Sequence, residues 1–483
     1  MVVDTVHTSA REVSDGIASA AASDLLFAGI DLGSTGIKML VVDAAGVEIA
    51  GVEVPTPWRV GEGRTTEMDA GTLLSALRSL LSKTATELPA EARLAAIGIA
   101  GMGETGMLID TDGAAVTPGF AWFDPRGAEQ IVAFPASVRE EFAGRTGLPL
   151  GAQVTVAKLA YLRDRGLELR GLRWLNLPEF VAAALGGDIA LEYSLASRTG
   201  LIDQDSGVAW TRMLDALDLG PEFLPPLRSG GASWGRVSDA FGTPFAGAEL
   251  TVAGHDHLVA AEASGTLDAD GYHVSMGTAE VLLRVLDAPL GFAARQRLAH
   301  ALINEVRHIV PGKHVLVAGV KTGLLLRRAL TAAGISDRVG RDALDADVMA
   351  LPYEGALPAG TIEVSGARND DGVMRLVLHA DGATPQEIFG AILRHSNDEI
   401  GLLIEAMDRE LPPATHATLT GGWTSMASVQ RARARVLPEL SVSSREQDTA
   451  FGAALIAARL VGASIAGDHG VGTHREDARI PTT

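Results

Sequence analysis

The sequence predicts an α/β protein of two related domains facing each other across a cleft, and three observations carry that prediction. A chain of 483 residues, 47% of them hydrophobic, can bury more than one core. A short apolar run, a glycine-containing turn and a second apolar run ending in aspartate occupy Leu26 to Asp43, and the same grammar returns at Tyr272 to Asp287. Gly33 to Asp43 and Gly277 to Asp287 are equally spaced, so one hairpin type is used twice, once in each half.

Taken in order, residues 1–24 have no basic segment ahead of a continuous apolar core and read as a loose leader, not a signal peptide. The first hairpin follows, with strands at Leu26 to Ile30 and Ile37 to Val42. Ala70 to Thr84 places Leu73, Leu74, Leu77, Leu80 and Leu81 at helical spacing, and strands are expected at Leu94 to Ala100 and Met107 to Asp110. From Pro118 to about Gly247 the chain is rich in Pro, Gly and short apolar clusters, as expected of an insertion around a pocket. Pro244 to Val252 leads into Ala253-Gly254-His255-Asp256-His257 and a small-residue helix, Leu258 to Ser264. The expected division is a first domain over 25–258, a second over 259–465 and a polar tail over 466–483. The second half should hold helices near Lys321 to Ala333, Thr384 to Glu410 and Gln447 to Val461, with strands at His314 to Ala318 and Ala417 to Leu419. Arg459 in the middle of the most membrane-like stretch argues for a buried helix there.

Sixty acids against forty bases leave a formal charge of −20, which argues against nucleic acid or an anionic membrane as partner. The absence of cysteine excludes disulfides, a thiolate nucleophile and Cys-ligated metal, and the expected compartment is the cytoplasm. A polyanionic ligand would need local neutralisation, so the five lysines, Lys38, Lys83, Lys158, Lys313 and Lys321, each merit inspection.

Asp31-Leu32-Gly33-Ser34-Thr35-Gly36-Ile37-Lys38 combines a carboxylate, a flexible turn, two hydroxyls and a cation. Gly33 and Gly36 let backbone N–H groups approach a phosphate, Ser34 and Thr35 can donate to its oxygens, and Asp31 can hold hydrated Mg²⁺. The other reading is a plain hairpin; the repeat at Gly277-Thr278 favours two opposed turns gripping a polyphosphate. Asp256 stands where a strand gives way to a helix, placed either as an ordinary N-cap or to accept a proton from a substrate hydroxyl. His255 and His257 read as pocket lining or helix-start hydrogen bonding before metal ligands. Thr420-Gly421-Gly422-Trp423 is a strand end and diglycine turn on which a base or ribose could lie. Arg431, Arg433 and Arg435 are expected to form a solvated face.

Together these residues resemble the FGGY carbohydrate kinases, from about Phe27 to Ala463 and in the family's order. The resemblance implies two actin-like (ribonuclease H-like) domains with a central cleft. It identifies Gly33, Ser34, Thr35, Lys38, Gly277 and Thr278 with the phosphate motifs, and Asp256 with the catalytic base. Gly319, Gly421, Gly422, Trp423, Ser425 and Met426 correspond to the adenosine site, supported by the helix at Thr449 to Ala454. A sugar pocket is implied at Met102, Gly103, Glu104, Trp122, Asp124, Gln153, Asp256 and His257. Glu104 is similar to the glutamate of glycerol kinases, whose Gln-Arg-Glu-Thr has an arginine where this chain has Gly103. Glu192 to Thr199 also resembles a family segment and reads as structural.

What this implies is an ATP- and Mg²⁺-dependent kinase of a small sugar or polyol, a ketose or alditol, acting on a terminal hydroxyl and with a homodimer common among such proteins. Glu104 and Asp124 favour a neutral sugar over an acid. The competing readings are a non-kinase ATPase of the same fold and a sugar-binding regulator without catalysis.

Overall fold

The computed structural model describes residues 25–265, 269–368, 373–443 and 448–466, so the expected leader and all but the first residue of the expected tail lie outside it. β1 (Leu26–Leu32) and β2 (Gly36–Asp43) form the first hairpin, with Asp31 opposite Lys38. β3 (Glu48–Pro55) continues antiparallel to β2, while β4 (Leu94–Gly101) and β5 (Glu249–His255) add in parallel on the other side, giving the order β5-β4-β1-β2-β3. Phe27, Ala28, Ile30 and Leu32 are all buried, the continuous pattern of a strand covered on both faces. Helix α1 (Ala70–Glu87), capped by the Asp69 carboxylate, buries Leu73, Leu77, Leu80 and Leu81 as its spacing predicts.

The second sheet repeats the plan. β6 (Gly271–Met276) pairs antiparallel with β7 (Glu280–Leu286), which pairs with β9 (His314–Val320), and β8 (Asn304–Arg307) closes that edge. β10 (His416–Thr420) and β11 (Leu440–Val442) run parallel on the far side of β6, so the order is β8-β9-β7-β6-β10-β11. β6 stands to β7 and β10 as β1 stands to β2 and β4. The twofold use of one hairpin is therefore a twofold use of a whole sheet.

Register then decides what can meet. Leu32 and His255 both pair with Gly101, so the segments that leave β1, β4 and β5 emerge on one edge. Ser275 pairs with Thr420, which brings the turns after β6 and β10 together in the same way.

Two placements differ from the sequence reading. Helix α2 (Asp256–Ser264) runs through the expected boundary at 258/259. The last helix, α4 (Asp448–Leu460; α3 is described below), expected beside the diglycine turn, packs on the first sheet, where Ala450, Phe451 and Ala454 join Phe27, Leu40, Val42, Ala96 and Ala263. Gly29 and Gly98, paired across β1 and β4, make this approach possible. A Cβ on Gly29 would lie 1.8 Å from the Ala450 carbonyl oxygen, and one on Gly98 2.1 Å from that of Ala453. Among the described residues no helix is long and apolar enough to cross a membrane.

Candidate active site

The turn after β1 is braced from the side. Thr56 Oγ1 donates to the Gly33 carbonyl at 2.7 Å, Trp58 Nε1 to that of Ser34 at 2.8 Å, and the Thr56 N–H to that of Thr35 at 3.2 Å. These bonds draw the three carbonyls toward the 56–58 segment, away from an anion held by the turn. Burial, and next the charge of Asp256, pushes the Asp31 carboxyl up to about 7, against the pull of Lys38. Its Oδ1 is buried without a hydrogen-bond partner. An orphaned carboxylate oxygen beside a second carboxylate fits a hydrated Mg²⁺, which takes one or two protein carboxylates and completes its shell with water and phosphate. Among the described residues no group of three or more His, Asp or Glu side chains forms a larger metal cage.

Asp256 opens α2 directly after β5. The β5/β4 register slips between Val252 and Gly254, and Gly254 has φ +120°, a conformation closed to other residues at little cost. This bulge aims the following residues out of the sheet. Beneath it, Ser194 Oγ accepts from the His255 N–H at 3.1 Å and donates to buried Glu192. Burial would raise the Asp256 carboxyl, yet His257, His255, the His257 N–H at 2.6 Å and Arg198 together hold it below the usual range. The helix N-terminus adds in the same sense. Burial and then Arg198 push the His255 imidazole well below its ordinary value.

The wall of the expected sugar pocket is partly as read and partly not. Met102 is buried, and Glu104 is buried in an ion pair with Arg198, both Nε and Nη2 lying 2.8 Å from Oε1. Burial raises the Glu104 carboxyl while Arg198 opposes it. Arg198 belongs to the segment read as structural, so the sequence reading missed it. Trp122 is half-buried, its backbone N–H donating to Thr105 Oγ1, and its ring meets Phe123 edge-on, which in turn meets Trp58. Asp124 requires a correction. Its Oδ1 accepts from Arg126 N and Nε, and its Oδ2 from Thr66 N and Arg126 Nη2, so its four acceptor positions are filled and none faces a sugar. Despite burial, these bonds hold it below the carboxylate range. Lys158, buried, donates to the carbonyls of Asp124, Arg126 and Ala152, tying the loop that carries Gln153 to this segment. That lysine is scaffold.

At the second edge, α3 (Thr322–Ala332) docks its first turn on Gly277-Thr278: the Leu324 N–H donates to the Thr278 carbonyl at 2.8 Å, and a Cβ on Gly323 would lie 1.8 Å from the Gly277 carbonyl oxygen. Arg327 Nη2 reaches Thr278 Oγ1 at 3.2 Å and, with Arg338 and Arg341, lines a cavity of about 530 Å³. This cation was missed. Gly319 is an exposed residue in an otherwise buried strand end, paired with Val281 of the hairpin. Gly421, at φ +95°, packs against the backbone of Met276, with Gly422 and Ser425 exposed beside it. Trp423 and Met426 are corrected: both are buried in the second core, so of the expected adenosine residues the glycines and Ser425 are the ones that reach the surface. The solvated arginine face is corrected at Arg433 and Arg431, while Arg435 is exposed as expected. Arg433 is fully buried, with Nε and Nη2 each 2.6 Å from the Glu280 carboxylate, Arg431 donates to the carbonyls of Val348, Met349 and Leu351, and Arg435 lies over the Tyr353 ring.

Residues 26–261 match the N-terminal domain of the FGGY family of carbohydrate kinases. The chain is 26% identical over 264 residues to a probable glycerol kinase of Caenorhabditis elegans, covering 50% of this chain and 53% of that protein. It is 24% identical over 323 residues to a xylulose kinase of Escherichia coli, covering 65% and 64%. The chain thus spans about half the length of the first relative and just under two thirds of the second. A Plasmodium falciparum glycerol kinase solved with ADP has the same fold, with a TM-score of 0.76 at 16% identity over 90% of this chain and 89% of that one.

Proposed function

We propose that the chain, whose residues 26–261 match the N-terminal domain of the FGGY family of carbohydrate kinases, transfers the γ-phosphoryl group of ATP to a hydroxyl of a small neutral polyol or ketose in the cleft between the two sheets. The observation that carries this is the pairing of an ionised Asp256 at a helix start with the unpartnered Asp31 oxygen on the same sheet edge. Asp256, held below the usual carboxylate range, is a weak base. That suits phosphoryl transfer, where the base chiefly orients the attacking hydroxyl and receives its proton as the O–P bond forms. Ser34, Thr35, Thr278 and the backbone of the two turns bind the phosphates, with Lys38 opposite Asp31 and Arg327 beside Thr278 as candidate cations. Asp31 would hold Mg²⁺, which supplies charge neutralisation at the phosphates.

A neutral substrate follows from the charge count at the wall. Asp124 is consumed by Arg126, Glu104 is balanced by Arg198, and the charge left over is the negative one of Asp256, which disfavours an acid. ADP release measured against ketoses, alditols and aldonates tests the reading. Release dependent on a neutral polyol or ketose supports it, and release independent of any sugar would make the chain an ATPase instead.

A further inference from the structure

The proposed base is held by one of its two oxygens. Asp256 Oδ1 accepts from the His257 N–H at 2.6 Å, and two imidazole nitrogens stand near the same atom, His255 Nδ1 at 3.3 Å and His257 Nε2 at 3.9 Å. The two imidazoles are not equivalent. His257 is half-buried, whereas His255 is 4% exposed and its Nδ1 is buried with no hydrogen-bond partner. Several arginines also carry a buried nitrogen without a partner, but among the described residues none of them pairs with Asp256.

Three features seat the His255 ring. Ser194 Oγ, itself fully buried, accepts from the His255 N–H at 3.1 Å and fixes the backbone that carries the ring. A Cβ on Gly103 would lie 2.9 Å from His255 Cδ2, so the ring takes room that a side chain at 103 would claim. The bulge at Gly254 turns the chain just before His255 and Asp256. A carboxylate oxygen has room for two donors. On Oδ1 the His257 N–H fills one place, and His255 Nδ1 is the closer imidazole nitrogen for the other. At 3.3 Å it is within reach but not aligned, the loose geometry that catalytic hydrogen bonds often have before substrate binds.

We propose that His255 is a positioning residue for phosphoryl transfer: its Nδ1–H closes on Asp256 Oδ1 when substrate binds, so that Oδ1 is tied from two sides and Oδ2 is the atom that receives the hydroxyl proton. The imidazole keeps its own proton throughout. Oδ2 gains the substrate proton as the substrate oxygen bonds to the γ-phosphorus and the bond to the leaving ADP oxygen breaks. The inference rests on the reading of Asp256 as the base of a polyol kinase. It adds which oxygen of the base acts and which side chain decides it.

The test compares wild type with His255→Asn, whose amide nitrogen can stand where Nδ1 does, and His255→Leu, of like size and without a donor. For each, kcat and KM are measured for ATP and for the best polyol. His255→Leu should lose about ten- to hundredfold in kcat, the scale of misplacing a reacting group, with both KM values unchanged. His255→Asn should recover most of that kcat. A histidine that only filled space would favour the leucine variant, since an apolar side chain suits a buried site better than an amide. Imidazole nitrogen NMR of the wild type should find a proton on His255 Nδ1, and an Nδ1 without one would overturn the inference. Should His255→Leu not fold, His255→Gln, whose amide reaches the Nε2 position instead, takes its place with the same expected loss. Wild-type kcat in His255→Leu, or an equal loss in the asparagine and leucine variants, would overturn the inference alone where Asp256→Asn is inactive. Full turnover in Asp256→Asn, or a wild type with no polyol-dependent ADP release, would overturn the reading of the site and this inference with it.

Discussion

At the tips of β1, β4 and β5 the first sheet gathers Asp31, Glu104 and Asp256, answered by Lys38 and Arg198; at the tips of β6 and β10 the second presents Gly277, Thr278, Gly421 and Gly422, with Arg327 beside them. The strand plan is the same on both sides. The acid nearest the second turn, Glu280, is sealed against Arg433 and Thr322, whereas Asp31 keeps an oxygen without a partner. Duplicated architecture thus supplies two equivalent edges, and on the proposed function the side chains divide the chemistry: one edge would receive a proton and read a substrate, while the other would let phosphates and a nucleoside approach bare backbone.

The sharpest way to break that contrast is to unseal the second edge. Arg433→Met leaves the fully buried Glu280 without its cation, and stability in a denaturant titration should fall by about 3–5 kcal/mol. A negligible loss would mean that Glu280 is not structural and that the two edges are more alike than described. Next in size is the contact that binds the C-terminal helix to the first sheet. Gly98→Ala puts a Cβ against the Ala453 carbonyl and should cost about 1–3 kcal/mol, read in the same titration.

A smaller, pH-dependent effect distinguishes Asp31. Its folded-state value of about 7 lies above the ordinary 3.8, so the folded chain binds the extra proton. That contribution is complete below about pH 4 and is lost as pH rises through about 7. Without Mg²⁺, the melting temperature should therefore fall between pH 5 and pH 8. Glu179 and Glu192, raised by burial to about 8 and about 7, add to the slope, and Asp31→Asn should flatten only its own share. An identical slope in that variant would remove Asp31 from the account. Smallest of all, Ser425→Ala at the exposed second edge should leave stability within about 0.5 kcal/mol and raise the ATP KM a few-fold at most.

Much of the architecture was legible because it is local. The repeated hairpins, the strand ending at His255 and the small-residue helix after it are written in consecutive residues, and the structure forms them. Contacts across long separations were not. Arg198 meets Glu104 from 94 positions away, and nothing in Ala-Ser-Arg-Thr signals that it fills the space beside Gly103. Arg433 sits among alternating arginines that look solvated, yet it reaches Glu280 across 153 positions. Asp124 is expected as a sugar residue only through its resemblance to the family's pocket segment, and the hydrogen bonds from Thr66 and Arg126 show its acceptor positions filled. Trp423 and Met426 follow a glycine turn that faces the cleft, but their own side chains turn into the core.

The central claim, that Asp256 receives the proton of a substrate hydroxyl, is tested most directly by Asp256→Asn, assayed for polyol phosphorylation and, separately, for MgATP binding by calorimetry. Turnover should fall about 10²- to 10⁴-fold, the usual worth of a general base, while nucleotide affinity is retained. Phosphorylation at the wild-type rate would contradict the account.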